Sequence, residues 1–168
     1  LQGGEDYYTH KLNRGFDLWR NKTVAWDAQG KHSTGFFMEE AKRVLDTRDP
    51  AQPMFMYFAH QELHAPLEAP PDSASLQACA GENVTSPIGK EATAGRHTLC
   101  TMASNVDTAV GKFVDMLKAK GMWEDTIFWF TTDNGGMTYG VKEDGIGPIG
   151  LSTSSNWPLR AGKTTLFE

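Results

Sequence analysis

Two apolar runs flank one long amphipathic segment, and that arrangement restricts the available folds more than any other feature of the chain. Met54 to Ala59 is an uncharged run of strand length, and Thr126 to Thr132 is a second, rich in β-branched and aromatic side chains. Between them Leu99, Met102, Ala103, Val106, Val110, Phe113, Val114 and Leu117 recur at three and four residues, the spacing of a helix with one core-facing stripe. Gly121 suits its C-terminal cap. Strand, long helix and strand form a βαβ unit, whose crossover is right-handed and whose strands are parallel. The Thr126 run carries no charge before Asp133, so it reads as a central strand covered on both faces.

A second helix is predicted from Ser33, a capping residue type, to Asp46, with Phe37, Ala41, Val44 and Leu45 on one face. Asp49-Pro50 and Pro53 end it. Residues 66–97 hold most of the prolines and small polar side chains and read as a loop excursion. Residues 139–155, rich in glycine and serine, read as an irregular loop. Alternation of helices and strands makes the fold class α/β.

Chemistry follows each apolar run. Thr132 leads into Asp133, Asn134, Gly135 and Gly136, and Ala59 leads into His60, Gln61, Glu62, Leu63 and His64. In open α/β sheets the carboxyl ends of the strands form the ligand crevice, where Asp133 and Asn134 could offer oxygen atoms to a cation. Parallel strands would bring His64 to the same edge. The plainer alternatives are an Asn-Gly turn and a loop histidine that only hydrogen-bonds. Lys163 follows Asn156-Trp157-Pro158-Leu159-Arg160 and, by itself, reads as a solvated lysine, while Trp129 and Trp157 read as packing residues.

With 168 residues and 39% hydrophobic side chains, the chain can bury one substantial core. A net charge of -5 with no basic stripe argues against a nucleic-acid partner, and no apolar run is long enough to span a bilayer. Cys79 and Cys100 are spaced for a disulfide that closes a loop of about twenty residues, worth ~3 kcal/mol on chain-entropy grounds. Two buried thiols in a cytosolic protein are the alternative. Asn21-Lys22-Thr23 and Asn83-Val84-Thr85 match the glycosylation acceptor pattern at Asn21 and Asn83, which with the cysteine pair favours the secretory pathway, extracellular or lysosomal.

Five segments in order carry a family resemblance: Gly4-Glu5-Asp6-Tyr7-Tyr8-Thr9-His10, Phe16-Asp17-Leu18-Trp19-Arg20, His64-Ala65-Pro66-Leu67, Thr132-Asp133-Asn134-Gly135-Gly136 and Asn156-Trp157-Pro158-Leu159-Arg160. Together they resemble the sulfatases, most closely the arylsulfatase B-like group. The resemblance implies an alkaline-phosphatase-like α/β sandwich with a mostly parallel central sheet. It also implies hydrolysis of sulfate esters, sulfated carbohydrates among them, with a calcium ion and a formylglycine made from cysteine or serine. Matched residue by residue, Asp133 and Asn134 take the place of the later pair of calcium ligands. His64 takes that of a histidine that contacts sulfate and assists the leaving group, and Lys163 that of a sulfate-binding lysine. Ala161-Gly162 stands where the family more often has Gly-Arg, which loosens the register at Lys163.

Departures from the pattern shape the functional expectation. Neither cysteine begins a Cys-x-Pro-x-Arg segment, no Ser-x-Pro-x-Arg occurs, and the family's early acidic calcium ligands are missing too. Two ligands do not fill a site of about six to eight oxygens. The chain therefore reads as residues 1–168 of the middle of a sulfatase catalytic domain, incomplete in itself and in need of the remaining domain or a partner chain. A non-catalytic, sulfatase-like structural or binding component of an extracellular assembly is the alternative.

Overall fold

A computed structural model of the chain describes residues 5–12, 15–71, 79, 90–137, 140–142, 145–149 and 154–166. Near the N-terminus, two short antiparallel hairpins follow one another. Strand β1 (Lys11–Leu12) pairs with β2 (Gly15–Phe16), and β3 (Trp19–Arg20) pairs with β4 (Thr23–Val24). Asn21 opens the second turn at φ 56°, a left-handed conformation that asparagine tolerates better than most side chains. Leu18, Ala25 and Ala28 from this region bury against Phe36 and Phe37. Arg20 ties the hairpin to the neighbouring helix through Glu40, and also pairs with Asp27.

Helix α1 (Ser33–Thr47) buries Phe37, Ala41 and Leu45 of the predicted stripe and also Phe36, whereas Val44 stays 37% exposed. Ser33 is its first helical residue and His32 takes the capping position. The Ser33 backbone N–H and hydroxyl both point to the Tyr7 carbonyl, at 2.9 and 3.3 Å, so an N-terminal residue caps the helix in the serine's stead.

Helix α2 (Lys90–Ala119) is longer than its sequence stripe, beginning inside the stretch read as loop. The Cys79–Cys100 disulfide forms, tying the chain before the helix to its body. At the far end Gly121 sits at φ 65°, and the Gly121 and Met122 N–H groups return to the Lys118 and Leu117 carbonyls, both at 2.9 Å. That left-handed residue is what the terminal glycine was expected to supply. Ala41 and Leu45 of α1 meet Phe113 and Leu117 of α2 in the main core, with Met54, Met56 and Phe58 packed on it. Leu45, Phe113 and Leu117, the large side chains buried there, each contribute about 1.5–3 kcal/mol by leaving water.

The two apolar runs depart from expectation. Neither forms a ladder, and the strand pairs among the described residues are all antiparallel hairpins. A strand needs a neighbour to supply its donors and acceptors, and no described segment lies beside either run to do so. Nor is the Thr126 run covered on both faces: Ile127 is 95%, Trp129 83% and Phe130 69% exposed. Phe55 and Tyr57 are likewise bare, while Met54, Met56 and Phe58 between them pack on the helices, the period of two of an extended segment with one covered face.

Both runs pack on α2. Along the first, Phe58 stacks on Phe113 and Glu62 then reaches Asn105; just before the second, Trp123 packs on the Leu117 end of the helix, and Phe128 within it lies against Phe113. Past the second run, β5 (Gly140–Lys142) and β6 (Gly145–Ile149) form a hairpin where the sequence has no strand period.

Candidate active site

Asp133 is exposed just past the second run, and the Asn156 side chain clamps the turn after it. Asn156 Oδ1 accepts the Gly136 N–H at 2.8 Å, while its Nδ2 donates to the Gly136 carbonyl at 2.8 Å and to the Ala161 carbonyl at 2.7 Å. The amide pairs with Gly136 as a neighbouring strand would, on both its backbone groups. Closeness requires the glycines. A Cβ at Gly135 would lie 3.2 Å from Asn156 Nδ2, and one at Gly136 would lie 2.8 Å from Ser154 Cβ.

The same clamp brings in Lys163, whose backbone N–H reaches the Gly136 carbonyl at 3.2 Å. Ala161 stands at φ 71°, a left-handed conformation unfavourable to a residue with a Cβ, and its carbonyl is one that Asn156 holds. So Asp133, Asn134 and Lys163, thirty residues apart in sequence, belong to one local framework. Asn134 turns its amide nitrogen to the Gly135 carbonyl, 2.8 Å away, which leaves its oxygen for a ligand.

His64 is exposed on a different framework. Its backbone N–H donates to the Gln61 carbonyl at 3.1 Å, and its own carbonyl accepts the Tyr7 hydroxyl at 2.8 Å. Nδ1 lies 2.6 Å from the Ala65 carbonyl, so Nδ1 carries a proton and Nε2 is the nitrogen left for exchange. Tyr7 is fully buried, stacked at 5.1 Å on His32, and its hydroxyl also lies 3.2 Å from the Gln61 carbonyl. Burial first, then the carboxylate of Glu62, push the phenol well above its usual range, so it stays a donor.

Comparison with known proteins decides the family. The Sulfatase family model matches residues 2–167. The chain belongs to the sulfatase family. Arylsulfatase J of Mus musculus is 33% identical over 174 residues, which takes in 100% of this chain and 25% of that protein. N-acetylgalactosamine-6-sulfatase of Rattus norvegicus is 30% identical over 136 residues, 80% of this chain and 21% of that protein. A solved structure, Ps i-CgsB in complex with k-i-k-neocarrahexaose, superposes with a TM-score of 0.72 at 24% identity, over 100% of this chain and 36% of that one. The fold is thus the alkaline-phosphatase-like α/β sandwich, of which this chain supplies a part. It spans about a quarter of the length of the curated relatives it matches.

Beneath the His64 turn this sulfatase segment buries a polar floor that its sequence did not announce. Glu62, with a side chain 0% exposed, accepts the Thr34 hydroxyl at 2.8 Å and the Asn105 amide at 2.9 and 3.0 Å. His32 Nε2 lies 3.6 Å and His60 Nδ1 4.0 Å from its oxygens. Desolvation holds the carboxyl above the usual range, against the pull of the Asn105 and Thr34 bonds, and depresses both imidazoles, His60 to about 4. His60 thus lies in this floor as a buried, neutral ring.

This floor predicts a pH dependence. A histidine whose folded pKa is depressed from 6.5 to about 4 stabilises the fold above 6.5, and that stability is lost as pH falls from 6.5 toward 4, because the unfolded chain takes up a proton that the fold refuses. The size is about 3 kcal/mol for His60. Glu62 works the other way, since its raised pKa stabilises the fold at low pH and that contribution is lost as pH rises through it. Denaturant midpoints of the complete protein are expected to drop between pH 7 and pH 5, and His60→Gln to flatten that slope. A slope unchanged by the substitution would contradict this.

Sequence reasoning named Asp133, Asn134, Lys163 and His64 but assigned nothing to Asn156, Tyr7 or Glu62. Asn156 had a signal, a side-chain amide in a quoted motif beside two glycines. Glu62 had none, because its partners come from positions 28 and 43 residues away. Trp157, read as a packing residue, is 87% exposed next to the clamp. Asn21 is exposed on its hairpin turn, and Asn83 lies outside the described residues.

Proposed function

We propose that this segment supplies the leaving-group and sulfate-binding side of a sulfuric ester hydrolase site in an arylsulfatase-like enzyme of the secretory pathway. The Asn156 clamp is the observation that carries the reading, because one amide joins the Asp133–Gly136 turn to Ala161, and the Lys163 N–H, two residues on, reaches the same Gly136 carbonyl. In it Asp133 and Asn134 offer two oxygen ligands to calcium, a hard cation that, when bound, supplies charge to polarise a sulfate oxygen. The donor chemistry fits in part. Among the described residues no group of three or more His, Cys, Asp or Glu side chains could hold a metal ion, and on this reading the remaining ligands are expected from the rest of the catalytic domain. That part of the domain is also where the nucleophilic formylglycine is expected.

The Lys163 ammonium offsets negative charge on the sulfuryl group as it transfers. His64, with both ring nitrogens protonated, gives its Nε2 proton to the departing alcohol oxygen as the S–O bond breaks and is left as the neutral Nδ1–H imidazole. Relatives named for arylsulfatase and N-acetylgalactosamine-6-sulfatase activity, and a neighbour of the same fold bound to a neocarrahexaose, support a sulfated carbohydrate as the substrate class. Asn21, on an exposed hairpin turn, and the disulfide fit an oxidising compartment. No described helix is long and apolar enough to cross a membrane.

The test uses a complete protein that contains this segment. Chelation of calcium is expected to abolish sulfate release from a sulfated sugar, with recovery on adding calcium back, and Asp133→Ala to lower turnover by roughly 100-fold. Sulfate release indifferent to both would overturn the reading. Tight binding of the sulfated sugar with no release under any condition would favour a binding component.

A further inference from the structure

The buried carboxyl of Glu62 is unusual because, among the described residues, its only ionisable neighbours within 4.0 Å are two histidines. The Glu62 N–H donates to His60 Nδ1 at 3.3 Å, so that nitrogen is an acceptor and the ring is neutral. His32 Nε2 faces the Glu68 carbonyl at 3.0 Å, and its ring too is held neutral by burial. Glu62 is therefore satisfied by a hydroxyl, an amide and the edge of a neutral imidazole. Burying an acidic side chain without a counter-ion is costly in general, and a turn that only needed fixing could be fixed by an amide. The carboxylate reaches two elements at once, Thr34 in the first turn of α1 and Asn105 in the body of α2. The opposite side of the turn is held by Tyr7 on the Gln61 and His64 carbonyls and by Gln61 Nε2 on the Glu5 carbonyl at 2.7 Å.

We infer that Glu62 is a positioning residue for His64: its carboxylate, bridging α1 and α2, sets where the His64 ring stands relative to the Asp133–Lys163 framework. Its enclosure keeps it from substrate, so it acts through the turn and not on the ester. Both frameworks ride on α2, the first run by Phe58 on Phe113 and Glu62 on Asn105, the second by Phe128 on Phe113. A two-point attachment to that helix registers one framework against the other. This rests on the reading of His64 as the proton donor to the leaving alcohol.

Proton donation matters for a poor leaving group and little for a good one, which separates positioning from general damage. In the complete enzyme, kcat and KM are measured for a sulfated monosaccharide and for 4-nitrophenyl sulfate. His64→Ala is expected to lower kcat about 100-fold or more on the sugar ester and about tenfold or less on the nitrophenyl ester. Glu62→Ala should follow the same pattern at smaller size, with a loss of about tenfold on the sugar ester, a loss within about threefold on the nitrophenyl ester, and KM nearly unchanged. Added to His64→Ala, it should cost nothing further. Asn105→Ala, which removes one arm of the attachment at a site where alanine suits the helix, should show the same selectivity if Glu62→Ala does not fold. Equal losses on both esters in a folded Glu62 or Asn105 variant would overturn the proposal and leave His64 as assigned. Equal losses on both esters in His64→Ala would overturn the reading of His64 and the positioning role with it.

Discussion

Asn156→Ala is expected to lower turnover of a sulfate ester by about 100-fold, the scale at which a displacement of about 1 Å degrades a reacting geometry. The substitution removes three hydrogen bonds, two to Gly136 and one to Ala161, and leaves half-buried backbone groups to find water. At about 1 kcal/mol for each bond, stability should fall by roughly 2–4 kcal/mol. Loss of activity should exceed what unfolding explains, because Ala161 is held in a left-handed conformation that alanine would otherwise leave. With it would go the register of Lys163. Asn156→Asp should be no better, since a carboxylate cannot donate to the Gly136 and Ala161 carbonyls. Turnover within twofold of the parent in either variant, measured on folded protein, would show that the clamp does not organise the site.

Tyr7→Ala is expected to destabilise the fold by about 3–5 kcal/mol, in the range for emptying a fully buried aromatic position. Tyr7 fills space beside His32 and also ties the His64 turn from below. Tyr7→Phe separates the two roles. It keeps the ring and removes the hydroxyl, so the cost should shrink to about 1–2 kcal/mol, the price of leaving the His64 carbonyl short of a donor while the Gln61 carbonyl keeps the His64 N–H. Denaturant titration of the three proteins reads both numbers. If Tyr7→Phe were as damaging as Tyr7→Ala, the hydroxyl and not the ring would be the structural element.

Elements whose signal is local were legible in the sequence. The stripe Phe37, Ala41 and Leu45 marked α1, the stripe from Leu99 to Leu117 marked most of α2, and Gly121 marked its end. Periodicity and a left-handed glycine are properties of neighbours in the chain, so no tertiary contact is needed to see them. The disulfide was legible for a similar reason, being a short closed loop. What periodicity could not tell was the state of the two apolar runs. Met54–Ala59 and Thr126–Thr132 have strand composition, but a ladder is made by the neighbour and not by the run.

Site residues divide the same way. Order and type alone marked Asp133, Asn134, His64 and Lys163 as a set, because a sulfatase keeps its motifs in sequence. Their supports belong to the fold. Tyr7 reaches His64 across 57 residues, Asn105 reaches Glu62 across 43, and Asn156 reaches Gly136 across 20. The sequence by itself determined the family, most of both helices and which side chains are the candidates for chemistry. Only the tertiary structure decided which buried groups hold them in place, since a hydrogen bond between distant residues depends on where the whole chain has travelled.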